Sequence, residues 1–219
     1  MNVFDLLTDQ TAVESRRGKL YGAVVGVVTN NQDPDGLGRV KVRFPWLSQE
    51  EESHWARVAT LMAGAERGTW FLPEVDDEVL VLFEHGDPRF PYVIGGLWNG
   101  GDDAPRDNAD GENNLRVITS RSGHELVFDD TSGAEQVEIR TAAGHRVLLD
   151  DSSGGERILI EDHSGANTVS IDSVRGEISI ACQTKLVIES QVIEIKAGAS
   201  LKVEAGAVLE LEGALVKIN

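Results

Sequence analysis

Apolar and polar residues alternate along most of this chain and almost nowhere repeat at a helical spacing. A period of two places successive side chains on opposite faces, so the pattern predicts half-buried strands. Past residue 115 it predicts twelve short ones, over 115–119, 125–128, 136–140, 146–150, 157–161, 168–172, 177–181, 186–189, 192–196, 201–204, 208–212 and 215–218. The early connections are Asp/Ser/Gly corners, and Gly123, Gly144 and Gly165 stand 21 residues apart. Later the corners shrink to Ala-Gly, and Ile193, Leu201 and Leu209 recur every 8 residues. A fixed short period marks a stacked repeat.

The inward parity of that stack holds about two apolar residues per strand: Leu126 and Phe128, Val147 and Leu149, Ile158 and Ile160, Val169 and Ile171, Ile178 and Ile180, Leu186 and Ile188, Ile193 and Ile195, Leu201 and Val203, Leu209 and Leu211, Val216 and Ile218. So narrow a set is too little for one chain to close around at the tight late spacing. Three chains, each giving one strand per layer, can close around it. The expectation is an intertwined trimeric β-helix, or β-prism, over 115–219, on the order of 55–60 Å long at the usual strand spacing. The residues expected to pack along its axis are Phe128, Leu149, Ile160, Ile171, Ile180, Ile188, Ile195, Val203, Leu209 and Leu211.

The first hundred residues alternate differently. Strands are predicted over 21–29, 39–44, 55–61, 68–73, 78–83 and 92–98, with a Pro/Asp-Gly turn over 30–38. Short strands at this spacing indicate a small barrel, with an OB-like Greek-key barrel the natural candidate. The fold class is therefore all-β: an OB-fold barrel over 20–98, a polar linker over 99–114 and the β-helix over 115–219. Residues 1–19 stand apart. Val3, Phe4, Leu6 and Leu7 share one side if 2–15 is helical, which leaves two readings, a frayed tail or a docking segment that orders on a partner.

Composition narrows the function. All four tryptophans (Trp46, Trp55, Trp70, Trp98) lie in the first hundred residues, so the two halves are built on different principles. The net charge is −17, of which residues 1–100 carry −6 and residues 101–219 carry −11. An acidic repeat is unsuited to nucleic acid, whose affinity comes from neutralised phosphates, and to anionic lipid. Cys182 is the only cysteine, so no disulfide framework exists; a small buried or half-buried residue is expected there rather than a reactive thiol. The opening Met1-Asn-Val-Phe-Asp has no basic start or apolar run of a signal peptide, and no stretch is long enough for a membrane span, so synthesis in the cytoplasm is expected.

Candidate chemistry is thin. Asn31, Asp33, Asp35 and Gly36 match the opening of a calcium loop, but Val42 stands where the closing Glu belongs, so a plain turn is expected. Asp76, Asp77 and Glu78 cluster in a strand-entry turn. His124 and His145 follow corner glycines at equivalent places; either they bond within corners or threefold symmetry gathers them into metal-binding rings. Ser122 and Ser164 precede corner glycines and have no nucleophile-elbow setting. No catalytic residue, metal site or cofactor is expected.

Six stretches of the first half carry a resemblance: 22–28, Asp33-Pro-Asp-Gly-Leu-Gly-Arg-Val-Lys-Val-Arg-Phe-Pro-Trp46, Ser53-His-Trp-Ala-Arg-Val-Ala59, Phe71-Leu-Pro-Glu-Val-Asp-Asp-Glu-Val79, His85-Gly-Asp-Pro88 and Ile94-Gly-Gly-Leu-Trp-Asn99. In this order they resemble the OB domain of VgrG and of phage-tail central spike proteins, a family in which an acidic β-helix also follows. The resemblance implies a homotrimeric, non-enzymatic spike at the centre of a contractile injection baseplate, which punctures a membrane when a sheath contracts. It departs from VgrG in having only about 20 residues before the barrel. That implies a separate hub protein, docked through Val3, Phe4, Leu6 and Leu7. The linker leaves no room for the lysozyme that some phage spikes insert there. The last histidine, His163, is far from the end, against an iron-binding tip; Leu215, Val216 and Ile218 imply a blunt apolar end for a PAAR-like tip protein. Effector cargo and a target membrane, met only on firing, are the other implied partners. The family resemblance places the protein in an injection particle, outside the cell after release or firing. The alternative is a trimeric β-helix that binds a surface or polysaccharide. Phe128 is the only aromatic past residue 115, which opposes sugar stacking, and the eight-residue period opposes a lyase-like solenoid enzyme.

Overall fold

The computed structural model describes residues 18–217, and the chain divides into two compact units at Asp107/Asn108. The first is a closed five-stranded barrel. Its strands are β1 (Val24–Asn30), β2 (Arg39–Arg43), β3 (Ala56–Val58), β6 (Glu78–Phe83) and β7 (Pro91–Gly96); a two-stranded ribbon of β4 (Ala63–Gly64) and β5 (Arg67–Gly68) sits in the connection between β3 and β6. The barrel order is β1-β2-β3-β7-β6. All contacts are antiparallel except β3 to β7, which is parallel and closes the barrel as in an OB fold.

Alternation explains each strand. In Arg39-Val-Lys-Val-Arg43 the two valines are fully buried and the three cations face out. Val28, Val40, Val42, Phe44, Ala56, Val79, Val81, Phe83 and Val93 form one core. Gly26 lies where β1 crosses β2: a Cβ there would come within 2.3 Å of Val42 Cγ1 and 3.1 Å of the Phe44 ring. Register shifts at Val28/Asn30 and Leu80/Val81 supply the bends that closure needs.

The expected strand over 68–73 is not part of the barrel. Pro73 cannot donate to a ladder, and Trp70 and Phe71 are both mostly exposed. That segment is fastened instead through the Thr69 amide to the Met62 carbonyl (3.1 Å) and by a hydroxyl contact between Thr60 and Thr69 (2.7 Å).

The second unit holds β8 (Leu115–Thr119), β9 (Glu125–Asp129), β10 (Gln136–Arg140), β11 (Arg146–Asp150), β12 (Arg157–Glu161), β13 (Thr168–Asp172) and β14 (Glu177–Ala181). They form one antiparallel sheet in strict sequence order, β8 through β14. Every connection carries one glycine in the left-handed region: Gly123, Gly133, Gly144, Gly154, Gly165 and Gly176, with φ between 65° and 94°. Reversing a strand within so few residues requires such a conformation, which glycine adopts without steric cost.

This corrects the expectation of one strand per chain per layer. Over 115–181 consecutive strands pair with each other inside the chain. Period two fixes which face a side chain takes; the turn residues fix the partner, and these turns are hairpins. Among the described residues past Ala181 no strand ladder forms, so the segments over 186–189, 192–196, 201–204 and 208–212 do not pair within the chain. Cys182 is exposed rather than buried or half-buried, because it lies just past the end of β14 where nothing covers it.

Candidate assembly surface

The register of the sheet sorts its side chains into rows. One face carries Arg116, Phe128, Val137, Leu149, Ile158, Ile171 and Ile178 in one row, and Ile118, Leu126, Ile139, Val147, Ile160, Val169 and Ile180 in a second. Arg116 is the single polar member. Within one chain this face is open: Ile139 is 56% exposed, Ile160 49%, Leu149 45% and Phe128 43%. A contiguous apolar surface of this extent on a soluble chain marks a contact surface.

The opposite face carries the charged residues of the paired strands β9–β14 and three cross-strand ion pairs. Arg140 lies across from Glu125 (2.6 Å), Arg146 across from Glu161 (2.5 Å) and Arg157 across from Asp150 (3.3 Å). Between the last two pairs, Leu148 and Leu159 are directly opposed and buried, at 2% and 7% exposure. The long charged side chains on either side wall off their apolar pair. The sequence reading did not single these leucines out. The signal was present in Val147-Leu-Leu149 and Ile158-Leu-Ile160, three apolar residues in a row, which call for cover on both faces.

The predicted axis residues fall into two groups. Phe128, Leu149, Ile160, Ile171 and Ile180 share the apolar face. Ile188, Ile195, Val203, Leu209 and Leu211 lie in the segment without ladders and are all more than half exposed. Leu215 and Val216 are also exposed, while Ile218 lies outside the described residues, as do Val3, Phe4, Leu6 and Leu7.

His124, His145 and His163 are corner residues of the sheet. His124 Nδ1 accepts the Ala142 amide (3.2 Å), and His145 Nδ1 accepts the His163 amide (3.2 Å). One corner further along, Asn167 Oδ1 accepts the Gln183 amide at 3.1 Å. Together these bonds stitch successive corners along one edge. The rings of His145 and His163 meet edge to face at 5.2 Å. Ser164 is also corner chemistry: its hydroxyl donates to Asp162 at 2.7 Å and accepts the Ala166 amide. Among the described residues no group of three or more His, Cys, Asp or Glu is placed to hold a metal.

In the barrel, Asp33 organises the loop after β1. Its carboxylate accepts from the amides of Asp35 and Leu37 and pairs with Arg39 through Nε (2.8 Å) and Nη2 (2.7 Å). The guanidinium thus satisfies the carboxylate that a calcium loop would spend on its ion. The Arg39 side-chain bonds, followed by the backbone amides, hold the Asp33 carboxyl well below the usual range. Arg89 does the same for Asp87, with the Arg89 amide and Lys19 adding to it. A depressed carboxyl stabilises the fold fully above its unfolded value, near pH 4, and loses that contribution as pH falls toward the folded value. The denaturant midpoint of the barrel, read by tryptophan fluorescence, is therefore expected to stay flat above about pH 4 and to drop below it. Asp33→Asn should flatten part of that drop; an unchanged acid slope would show that the Asp33–Arg39 pair contributes nothing. The Asp76–Asp77 turn is structural: the Asp76 amide donates to the Val28 carbonyl, the Asp77 carbonyl accepts from the Val28 amide, and the Asp77 side chain accepts the Glu74 amide at 2.8 Å.

A closed OB barrel joined in sequence to an antiparallel sheet with one open apolar face makes this an all-β chain of two units. Comparison with known proteins shows what it is similar to. Residues 24–98 match the family described as the Type VI secretion system/phage-baseplate injector OB domain. The chain is 37% identical over 128 residues to the type VI secretion system spike protein VgrG3 of Vibrio cholerae, covering 55% of this chain and 13% of that protein. It is 34% identical over 145 residues to spike protein VgrG1a of Pseudomonas aeruginosa, covering 61% of this chain and 22% of the relative. A third relative, at 31% over 130 residues (55% of this chain, 12% of the relative), is the actin cross-linking toxin VgrG1 of Vibrio cholerae. Over residues 24–98 the chain carries an OB domain of the type VI secretion and phage-baseplate injector kind, and it is similar to VgrG spike proteins while matching less than a quarter of the length of these relatives.

Proposed function

We propose that the protein is a structural, non-enzymatic spike that punctures a membrane from the centre of a contractile injection baseplate. The observation that carries this is the open apolar face of β8–β14. Three copies that turn these faces inward bury them around one axis, and the faces that carry the ion pairs then lie outside. Among the described residues past Ala181 the alternating segments have no partner strand in their own chain, and they would find one in an intertwined trimeric β-helix over the remainder of 115–219, with 99–114 as the linker from the OB barrel. A shaft of this kind works by stiffness and has no need of an active site.

Its N-terminal side would meet a separate hub protein through Val3, Phe4, Leu6 and Leu7, and Leu215, Val216 and Ile218 would carry a PAAR-like tip protein. Assembly into the particle follows synthesis in the cytoplasm, with effector cargo and the target membrane as transient company. Particles assembled with Leu209→Asp are expected to lose delivery into target cells, and those with Val216→Asp to lose the tip protein while the spike stays trimeric. Delivery undiminished by Leu209→Asp would overturn the reading. The surface- or polysaccharide-binding alternative gains no support from the sheet: Phe128, its one Phe, Tyr or Trp, lies in the apolar face between Arg116 and Val137.

A further inference from the structure

The connection between β3 and β6 builds a groove that a purely mechanical shaft does not use. It is lined by residues between Val58 and Leu72 and by Gly36, Leu37 and Gly38 of the loop after β1, and its volume is about 660 Å³. That is the size of a small-ligand site. Two large rings stand open in it: Trp70 is 72% exposed and Phe71 68%. Both lie in the first unit, away from the apolar sheet face of the second.

Two glycines set the groove's recognising groups in place. A Cβ at Gly38 would come within 2.7 Å of Trp70 Cζ3 and 2.8 Å of Cη2, so the edge of the indole seats on bare backbone. A Cβ at Gly64 would lie 2.8 Å from Arg67 Nε and 3.1 Å from Nη2, so the guanidinium rests against the facing strand of the ribbon. Arg67 makes no hydrogen bond or ion pair among the described residues. Every other lysine and arginine between 18 and 98 is engaged: Lys19 and Arg89 with Asp87, Arg39 with Asp33, Lys41 with Glu52, Arg57 with Glu84 and Arg43 with Gln49. In a chain of net charge −17, an unmatched guanidinium that shares a groove with open aromatic rings fits an anion from outside.

We propose that this groove binds a carboxylated glycan, with one sugar ring resting on Trp70 and its carboxylate held by Arg67. The C–H face of a pyranose matches the electron-rich face of an indole. The planar guanidinium fork matches a carboxylate. A single free cation suits an isolated carboxylate; a polyphosphate needs several cations and is repelled by the chain's own charge. A peptide strand finds little to pair with. The ribbon strands are two residues each, and the Thr69 amide and carbonyl are already taken by the Met62 carbonyl and the Thr60 hydroxyl. The loop between the first two strands, which forms one wall here, contacts oligosaccharides and oligonucleotides in OB barrels generally. The site belongs to the barrel and does not rest on the trimeric spike reading.

The test is calorimetric titration of the full chain with two acidic probes, tetragalacturonate and a hyaluronan tetrasaccharide, and with neutral chitotetraose. At least one acidic probe is expected to bind. Arg67→Gln should weaken that binding about tenfold, the worth of one hydrogen bond to a charged group, and leave any binding of chitotetraose unchanged. Trp70→Ala should weaken every sugar that binds, acidic or neutral, by roughly the same factor. Because Arg67 is exposed and unpaired, Arg67→Gln is expected to keep the denaturant midpoint of the barrel, which checks its folding. No binding of either acidic probe at millimolar concentration, or binding that Arg67→Gln leaves unchanged, overturns the site. Binding of hexaglutamate, lost in Arg67→Gln, with neither acidic sugar bound would assign the groove to an acidic peptide and overturn the glycan. A monomeric chain that binds with these dependences supports the site while contradicting the spike reading.

Discussion

An Ile160→Asp chain is expected to run as a monomer. Ile160 sits in the second apolar row, opposite Val147 and Val169, and is 49% exposed in the single chain. If that face stayed in water, the substitution would be harmless and would improve solubility. If three copies bury it, three carboxylates meet at one level near the axis. A buried charge without a partner costs about 3–5 kcal/mol, and here the cost repeats in every chain. Each buried aliphatic side chain contributes only about 1.5–3 kcal/mol, so in every chain the charge offsets one to three of them, besides the loss of Ile160 itself. Ser179→Asp, on the other face of the same sheet, should assemble normally. Light scattering on the two variants reads the difference, and a trimeric Ile160→Asp chain would mean that this face is not the axis.

The second large effect belongs to the barrel. Gly26→Val should lower the stability of that unit by about 3 kcal/mol, the upper end of the usual cost of overpacking. The new Cβ would arrive 2.3 Å from Val42 Cγ1, and Val42 is itself fully buried, so neither strand has room to give. All four tryptophans are in the first unit, so their fluorescence reports its unfolding alone. The mass in solution should be unchanged, because the apolar face lies in the other unit. An unaltered midpoint would contradict the close crossing of β1 and β2.

Much of this architecture is legible in the sequence, for stated reasons. Strict alternation located β2, and a continuous apolar run located β6, almost to the residue, and glycine-centred corners did the same for β8 to β14. The face of each strand residue follows from parity alone. The partner of a strand does not, since alternation looks identical whether the neighbour is the same chain or another. The hairpin glycines held that information, and they separate 115–181 from the rest. The expected strand over 68–73 failed because Trp70-Phe-Leu-Pro73 is apolar without alternating and ends in a residue that cannot donate. The expectation for Cys182 failed because burial there depends on chain beyond the sheet. On the apolar face, Phe128, Leu149, Ile160, Ile171 and Ile180 could be placed together from parity, whereas the covered pair Leu148 and Leu159 needed the register of β11 on β12.

The central claim is that the apolar face of β8–β14 is an interior surface supplied in thirds. The mass of the unmodified chain in solution, by light scattering at micromolar concentration, tests it most directly. The account predicts three times the mass of one chain, held after dilution. A stable, well-folded monomer would contradict it.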